Sequence, residues 1–285
     1  MKKSALYLVM VLTLLGCGSD DSRPGVMPGL PSGGTGSGQP SPPTGPPTDS
    51  TTPPPFPDGT QSEARLLSGI YSGTSTDVTS KSYTIDGLVD DKKQLWFIHS
   101  ESDEIQGFTN SKEGVKGING EFSVKGVEYS YKDRSAINLT IEGNYKTEKV
   151  VSGKTFDLPS NPTTYSVKYD EERSAKKQTL SLVSNKNFIG NAYLTGDDKG
   201  SATLIFNNTK GDFTGDAKGC TMTGKLTPAG SGLYFNASVK FTSSLCLANG
   251  ETYTGVALID NNNELIIAGT NGAKNRGILF NSETR

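Results

Sequence analysis

Short runs of β-branched and aromatic residues, separated by Gly, Asn and Asp, dominate the chain from Leu66 to its end. Runs that recur about every eight to twelve residues between turn-forming residues are typical of strands in a β-sandwich or β-barrel. In the segment 233–241 every odd position is apolar, which predicts a strand with one buried face. Because no segment has a helical period, the sequence predicts an all-β fold.

An internal similarity bears on the number of β units. Residues 83–109 and 253–279 align without gaps at an offset of 170 residues, with Tyr83 matching Tyr253 and Leu95 matching Leu265. We interpret the match as a duplication, with convergence on favourable hairpin sequences as the alternative. We expect two tandem small antiparallel β-barrel or sandwich units, residues 64–175 and 176–285, with one large β domain as the alternative.

The segment before the first unit has a different composition. Residues 17–63 consist largely of Pro, Gly, Ser and Thr, with almost no aliphatic side chains after Cys17. Such a segment buries too little apolar surface to offset the entropy that ordering would cost. The sequence therefore predicts a disordered tether over residues 17–63.

The N-terminus carries a signal-like motif. A basic start, Met1-Lys2-Lys3, precedes the apolar stretch 5–15 and the sequence Leu14-Leu15-Gly16-Cys17. The stretch is shorter than the about 20 apolar residues that a membrane-spanning helix needs, and its layout is that of an exported protein's signal segment. The position of the cysteine makes the segment resemble the lipobox signal peptides of bacterial lipoproteins.

This resemblance implies that residues 1–16 are removed and that Cys17 receives acyl chains such as palmitate. Gly18, rather than an aspartate, follows Cys17, so the usual inner-membrane retention signal of such lipoproteins is absent at that position. We therefore expect a protein anchored by lipid to the outer membrane, on either its periplasmic face or the cell surface.

The remaining cysteines form one even pair. The chain has three cysteines, and lipidation of Cys17 leaves only Cys220 and Cys246. In an exported protein a disulfide between them is the default expectation. Two free buried thiols are the alternative, and no histidine lies nearby to complete a zinc site.

Charge excludes one class of partner. The chain has 28 Lys and Arg against 30 Asp and Glu, a net charge of −2, with no basic cluster. Nucleic-acid binding needs clustered cations, so no nucleic-acid partner is expected. No cofactor and no metal site are predicted.

Catalysis also lacks a sequence signature. The single histidine, His99, could serve as a base, but no nucleophile motif such as Gly-x-Ser-x-Gly accompanies it. Carboxylates cluster in predicted turns, where solvation explains them. We expect no catalytic residues, and a hydrolase using His99 or a carboxylate pair remains the weaker alternative.

Aromatic side chains are the candidate contact residues. Strand alternation places Tyr129 and Tyr131 on one face of a strand, and Tyr165 and Tyr169 on one face of another. Exposed aromatic rows mark ligand or protein contacts, whereas packing in the core is the competing explanation. The candidates for ligand or partner contact are Trp96, Tyr129, Tyr131, Tyr165 and Tyr169.

Together these features predict an outer-membrane-anchored lipoprotein that presents a non-enzymatic β-rich binding or structural module in the cell envelope. Its partners would be the membrane, through the lipid on Cys17, and a protein of the envelope or the cell exterior. A surface receptor or adhesin that captures a host protein or a small ligand is the alternative. The layout is similar to that of surface lipoproteins whose heads contain eight-stranded barrels.

Overall fold

A computed structural model describes residues 65–102, 104–117, 120–145, 149–197 and 199–283. The predicted signal peptide and tether lie outside these residues. In the described part the chain forms sixteen strands, one short α-helix and one 3₁₀ turn, and it contains no helix long and apolar enough to cross a membrane.

The first eight strands form a closed antiparallel barrel in which each strand pairs with the next. Pairing of the first strand with the eighth, with Tyr71 opposite Tyr169, closes it. The strands are β1 (Gly69–Thr76), β2 (Ser82–Val89), β3 (Leu95–Glu101), β4 (Glu104–Ser111), β5 (Glu121–Ser130), β6 (Ser135–Asn144), β7 (Val150–Phe156) and β8 (Thr163–Tyr169).

The last eight strands form a second closed barrel of the same up-and-down topology. The strands are β9 (Asn187–Leu194), β10 (Gly200–Ile205), β11 (Asp212–Ala217), β12 (Cys220–Pro228), β13 (Phe235–Phe241), β14 (Thr252–Ile259), β15 (Leu265–Asn271) and β16 (Gly277–Ser282). The prediction of an all-β fold with two tandem barrels is confirmed. Both barrels belong to one compact unit.

Side-chain alternation explains why these segments form barrel walls. In β13 the residues Phe235, Ala237 and Val239 are buried, whereas Asn236 and Lys240 are exposed. Successive side chains of a strand point to opposite faces, so one face fills the barrel and the other meets solvent. Each barrel has its own apolar cluster built from such inward rows.

A third apolar cluster joins the two barrels. Phe108 of β4 stacks on Tyr129 of β5 with ring centroids 4.6 Å apart, and Trp96 of β3 lies 6.3 Å from Phe108. Gly277 of β16 packs directly against this group, since a Cβ there would come within 2.7 Å of the Tyr129 ring. The cluster comprises Ile70, Leu88, Trp96, Phe108, Val127 and Tyr129 from the first half, and Tyr193, Ala229, Leu233, Tyr234, Val256, Ala268 and Leu279 from the second.

The segment 170–186 connects the barrels, and the predicted boundary between residues 175 and 176 lies within it. It contains a five-residue helix, α1 (Glu171–Ala175), that the sequence analysis did not anticipate. The Asp170 side chain caps this helix by accepting the Arg173 N–H at 2.9 Å. A helix of five residues is too short to show a helical period of apolar residues, so the sequence pattern did not predict it.

Two side chains fasten this connection to the barrels. Arg173 donates to the Asp86 carboxylate on β2 at 2.6 Å. Gln178 makes two hydrogen bonds to the backbone of Ile259, at 2.9 and 3.1 Å, and is buried. The side-chain amide thus pairs with the end of β14 as a neighbouring strand would, so the connection is fixed at both barrels.

The internal similarity corresponds to two three-stranded meanders, β2–β4 and β14–β16. In each, an aspartate at the first turn, Asp90 or Asp260, accepts backbone N–H groups two and four residues later, all at 2.8 Å. Lys93 and Asn263 both have a φ of 63° in these turns. The meanders occupy different positions in their barrels, so the topology favours shared hairpin chemistry over a duplication of whole barrels in register.

Cys220 and Cys246 form a disulfide, as predicted, with Cα atoms 4.9 Å apart. Cys220 begins β12, and Cys246 lies in the loop 242–251 between β13 and β14. Cys246 and Ala248 belong to the second-barrel core and are 6% and 0% exposed. The disulfide therefore holds this loop against one end of the second barrel.

Removal of the disulfide should destabilise the protein. A bridge across 26 residues restricts the unfolded chain by roughly 3.5 kcal/mol in the loop-entropy model. We expect the double variant Cys220→Ser/Cys246→Ser to lose about that amount of unfolding free energy in urea denaturation. Incorporation of two thiol labels into the unreduced folded wild type would contradict the pairing.

Candidate functional site

Three of the predicted contact residues project outward from the first barrel and are covered by the second. Trp96 and Tyr129 are 6% and 0% exposed, and the Tyr129 hydroxyl donates to the Lys274 carbonyl at 3.0 Å. Tyr131 lies with its ring centroid 4.8 Å from that of Tyr193 on β9. The partner that these rings contact is therefore the other barrel of the same chain.

The other two predicted contact residues belong to the first barrel's interior. Tyr165 is 4% exposed, its ring centroid is 5.4 Å from that of Phe97, and its hydroxyl donates to the Glu142 carbonyl at 3.1 Å. Tyr169 packs edge-on against Tyr71 at 5.4 Å. This packing corresponds to the core alternative, and a ligand or partner contact by the five aromatic residues stays a prediction.

His99 lies in the inward row of β3, two residues beyond Phe97 of the first-barrel core. Its Nε2 is 2.9 Å from the Thr109 hydroxyl oxygen on β4. Burial lowers the pKa of His99 from its ordinary value of 6.5 to about 4, because the imidazolium would lose hydration without gaining a counter-charge. His99 is therefore neutral near pH 7.

This environment gives little support to hydrolysis by His99. Thr109, the hydroxyl within reach of its ring, is 1% exposed, and a nucleophile has to reach its substrate. Among the described residues no carboxylate hydrogen-bonds to Nδ1 of His99, so the orienting acid of a triad is absent there. In the described residues, His99 therefore hydrogen-bonds to Thr109 in the barrel wall and is not part of a nucleophile–base–acid triad.

Glu128 is the functional candidate that sequence reasoning missed. It occupies β5 in the same inward row as Phe122 and Val124, which belong to the first-barrel core. Burial raises the pKa of the Glu128 carboxyl, and Asp133 and Asp157 raise it further. The signal was available in the alternation of β5, since a glutamate that continues a buried row is unusual.

His99 and Glu128 line an open polar cavity at one end of the first barrel, named here the first-barrel cup. The apolar core fills the barrel up to Phe97 and Tyr165, and hydroxyl, imidazole and carboxyl groups follow beyond it. The volume of the cup is about 400 Å³, which falls in the range of roughly 300–1,000 Å³ for small-molecule sites. The wall of the cup includes Ser75, Tyr83, His99, Glu128, Ser130 and Thr155.

Charged groups at the rim of the cup are mostly engaged with one another. Lys81 pairs with Glu101 at 2.6 Å, and Ser130 donates to the Asp133 carboxylate at 2.8 Å. Asp77 accepts hydrogen bonds from the backbone of its own turn, among them the Lys81 N–H at 3.0 Å. In the described residues no hydrogen-bond donor or cation pairs with Glu128.

The second barrel is filled differently. An apolar cavity in its interior is bounded by side chains such as Leu204, Phe213, Met222 and Phe241, with Cys220 at the end held by the disulfide. The volume of this cavity is only about 50 Å³. A preformed site of ligand size with polar groups is therefore found in the first barrel and not in this cavity.

The histidine in the cup makes the protein sensitive to acid. Because its folded pKa of about 4 lies below the unfolded value, His99 contributes stability above pH 6.5 that is lost as pH falls towards 4. We expect wild type to lose on the order of 2 kcal/mol more unfolding free energy than His99→Gln between pH 7 and pH 4. Parallel pH profiles of the two proteins in urea denaturation would show that the ring is not held neutral.

No protein-family model and no curated protein matches the chain. Similar solved structures include a mutant transferrin-binding protein B from Haemophilus parasuis, at 10% identity and TM-score 0.25 over 72% of this chain and 67% of that one. A candidate outer membrane protein from Bacteroides fragilis aligns at 13% identity and TM-score 0.26 over 76% and 98% of the two chains. An intact transferrin-binding protein B with both lobes aligns at 11% identity and TM-score 0.24 over 76% and 77%. Because these identities and TM-scores are low, the function of this chain has to be argued from its own residues.

Proposed function

We propose that the chain is an outer-membrane lipoprotein, anchored through acyl chains on Cys17, whose two-barrel head is a non-enzymatic binding module in the cell envelope. The observation that carries the binding role is the first-barrel cup, a preformed polar site of about 400 Å³. Its walls are strands of a closed barrel, which hold side chains more rigidly than loops do.

The rigidity of the head supports a binding role. The aromatic cluster around Phe108 and Tyr129 joins the barrels, and Gln178 fixes the connection between them. A site on such a scaffold needs little ordering when a ligand arrives, which lowers the entropic cost of association. The cup therefore suits recognition better than a reaction that requires movement.

The lipid anchor rests on the motif Leu14-Leu15-Gly16-Cys17, which lies outside the described residues. A predicted tether of residues 17–63 would let the head stand away from the membrane, at about 3.1 Å per residue if extended. Anchoring and ligand recognition would then occupy separate parts of the chain.

Labelling of Cys17 tests the anchor. We expect cells fed an alkyne analogue of palmitate to label the wild type and not Cys17→Ala, which should also leave the membrane fraction. The matched control is Cys220→Ser/Cys246→Ser, which lacks two cysteines but keeps the lipobox and should retain the label. A labelled Cys17→Ala protein would refute lipidation at this residue.

A surface receptor that captures another protein is the second candidate function. Leu245 and Leu247, in the loop 242–251, are 89% and 51% exposed. Apolar side chains presented on a loop held by a disulfide suit contact with a protein, because the loop loses little conformational entropy on binding. These leucines are the observation that favours this candidate.

Protease treatment of intact cells separates the two candidates. A periplasmic module should survive proteinase K on intact cells and be released only after the outer membrane is permeabilised. Release of the head from intact cells, by cleavage within residues 17–63, would favour the surface receptor. A periplasmic marker protein that stays intact in the same sample controls for leakage.

A further inference from the structure

The first-barrel cup contains an acidic side chain that forms no hydrogen bond or ion pair with the described residues. Glu128 stands in the inward row of β5, beyond Phe122 and Val124, and its remaining exposed surface faces the cup. No hydrogen-bond donor contacts its carboxyl in the described part of the chain. An enclosed carboxylate without a partner destabilises a protein by the hydration that it loses, so its presence in this row calls for a compensating group from outside.

The charges around Glu128 make a cationic ligand the best complement. Burial is the main cause that raises the pKa of its carboxyl, and the charged groups that raise it further are two acids, Asp133 and Asp157. Of the lysines at the cup, Lys81 is paired with Glu101, and Lys132 lies on the exposed turn between β5 and β6. The interior of the cup is therefore short of positive charge, which disfavours an anionic ligand.

The other groups in the cup indicate the nature of the rest of the ligand. His99 is neutral, and no hydrogen bond to its Nδ1 is present among the described residues. Ser75, Tyr83 and Thr155 add hydroxyl groups to the wall. These groups hydrogen-bond a polar body and do not repel a cation, whereas an acyl chain would leave them without partners.

We propose that the first-barrel cup binds a small organic cation, whose ammonium or guanidinium group pairs with the Glu128 carboxylate. The pairing would be a charge-assisted hydrogen bond, the strong class of polar contact in proteins. This proposal rests on the binding role assigned to the head and not on the lipid anchor. A failed palmitate label would therefore leave it standing.

Calorimetric titration of the full chain, purified from membranes in detergent, tests the proposal. The probes are agmatine, a free cation with both groups, and N-acetyl-arginine amide, which presents the side chain as a protein would. We expect at least one of them to bind, and Glu128→Gln to weaken that binding at least tenfold. Preference for agmatine indicates a free small molecule, and preference for the amide indicates an arginine of a partner protein.

Two control variants isolate the role of the carboxylate. Glu113→Gln removes the same charge at an exposed position outside the cup and should leave the affinity unchanged. Glu128→Gln should melt at or above the wild-type temperature, because it removes an unpaired enclosed charge, so lost binding would not reflect unfolding. Binding of neither probe to the wild type, or equal affinity of the wild type and Glu128→Gln for the probe that binds, would overturn the proposal.

Discussion

The aromatic contact between the two barrels is the interaction on which the rest of the head depends. Without it, Trp96, Phe108 and Tyr129 would form an outward apolar patch on the wall of the first barrel, and such patches drive association in water. Gly277 allows the approach because its missing side chain leaves room for the Phe108 and Tyr129 rings. The closed barrels have no free sheet edges, so packed side chains rather than strand pairing form the contact between their walls.

This contact determines where function can reside. The walls that face each other are buried in the contact between the barrels. The two similar meanders, β2–β4 and β14–β16, supply much of both surfaces. What remains available is the ends of the barrels, where hairpin turns surround each interior. The two ends differ in chemistry: the inward row of β5 ends in Glu128 and Ser130, whereas Phe241 ends that of β13. At these two ends the first barrel has the polar cup, and the second barrel has an apolar cavity bounded by Phe241.

Much of the fold could be predicted from the sequence because its signals are local. Alternation gives strands such as β13, and the cysteine count gives the pair Cys220 and Cys246. The outward orientation of Tyr129 and Tyr131 also follows from alternation, but what covers them does not, since contacts between barrels join residues far apart in the chain. The internal similarity is limited in the same way: matching hairpins at Asp90 and Asp260 show turn chemistry, while their places in the barrels depend on closure.

The candidate site was harder to predict, and the reason is physical. His99 stood out because it is the only histidine of the chain, whereas Glu128 is one of many acids and is distinguished only by facing inward. Closure of the barrel gives interior and surface acids different environments. An acid in the interior loses hydration, whereas an acid on the surface keeps it. A fold selected for stability alone would fill that end with apolar side chains, as the second barrel does around Phe241. Retaining an unpaired carboxyl beside a neutral histidine costs stability, and a ligand that completes the pair is the simplest physical reason for it.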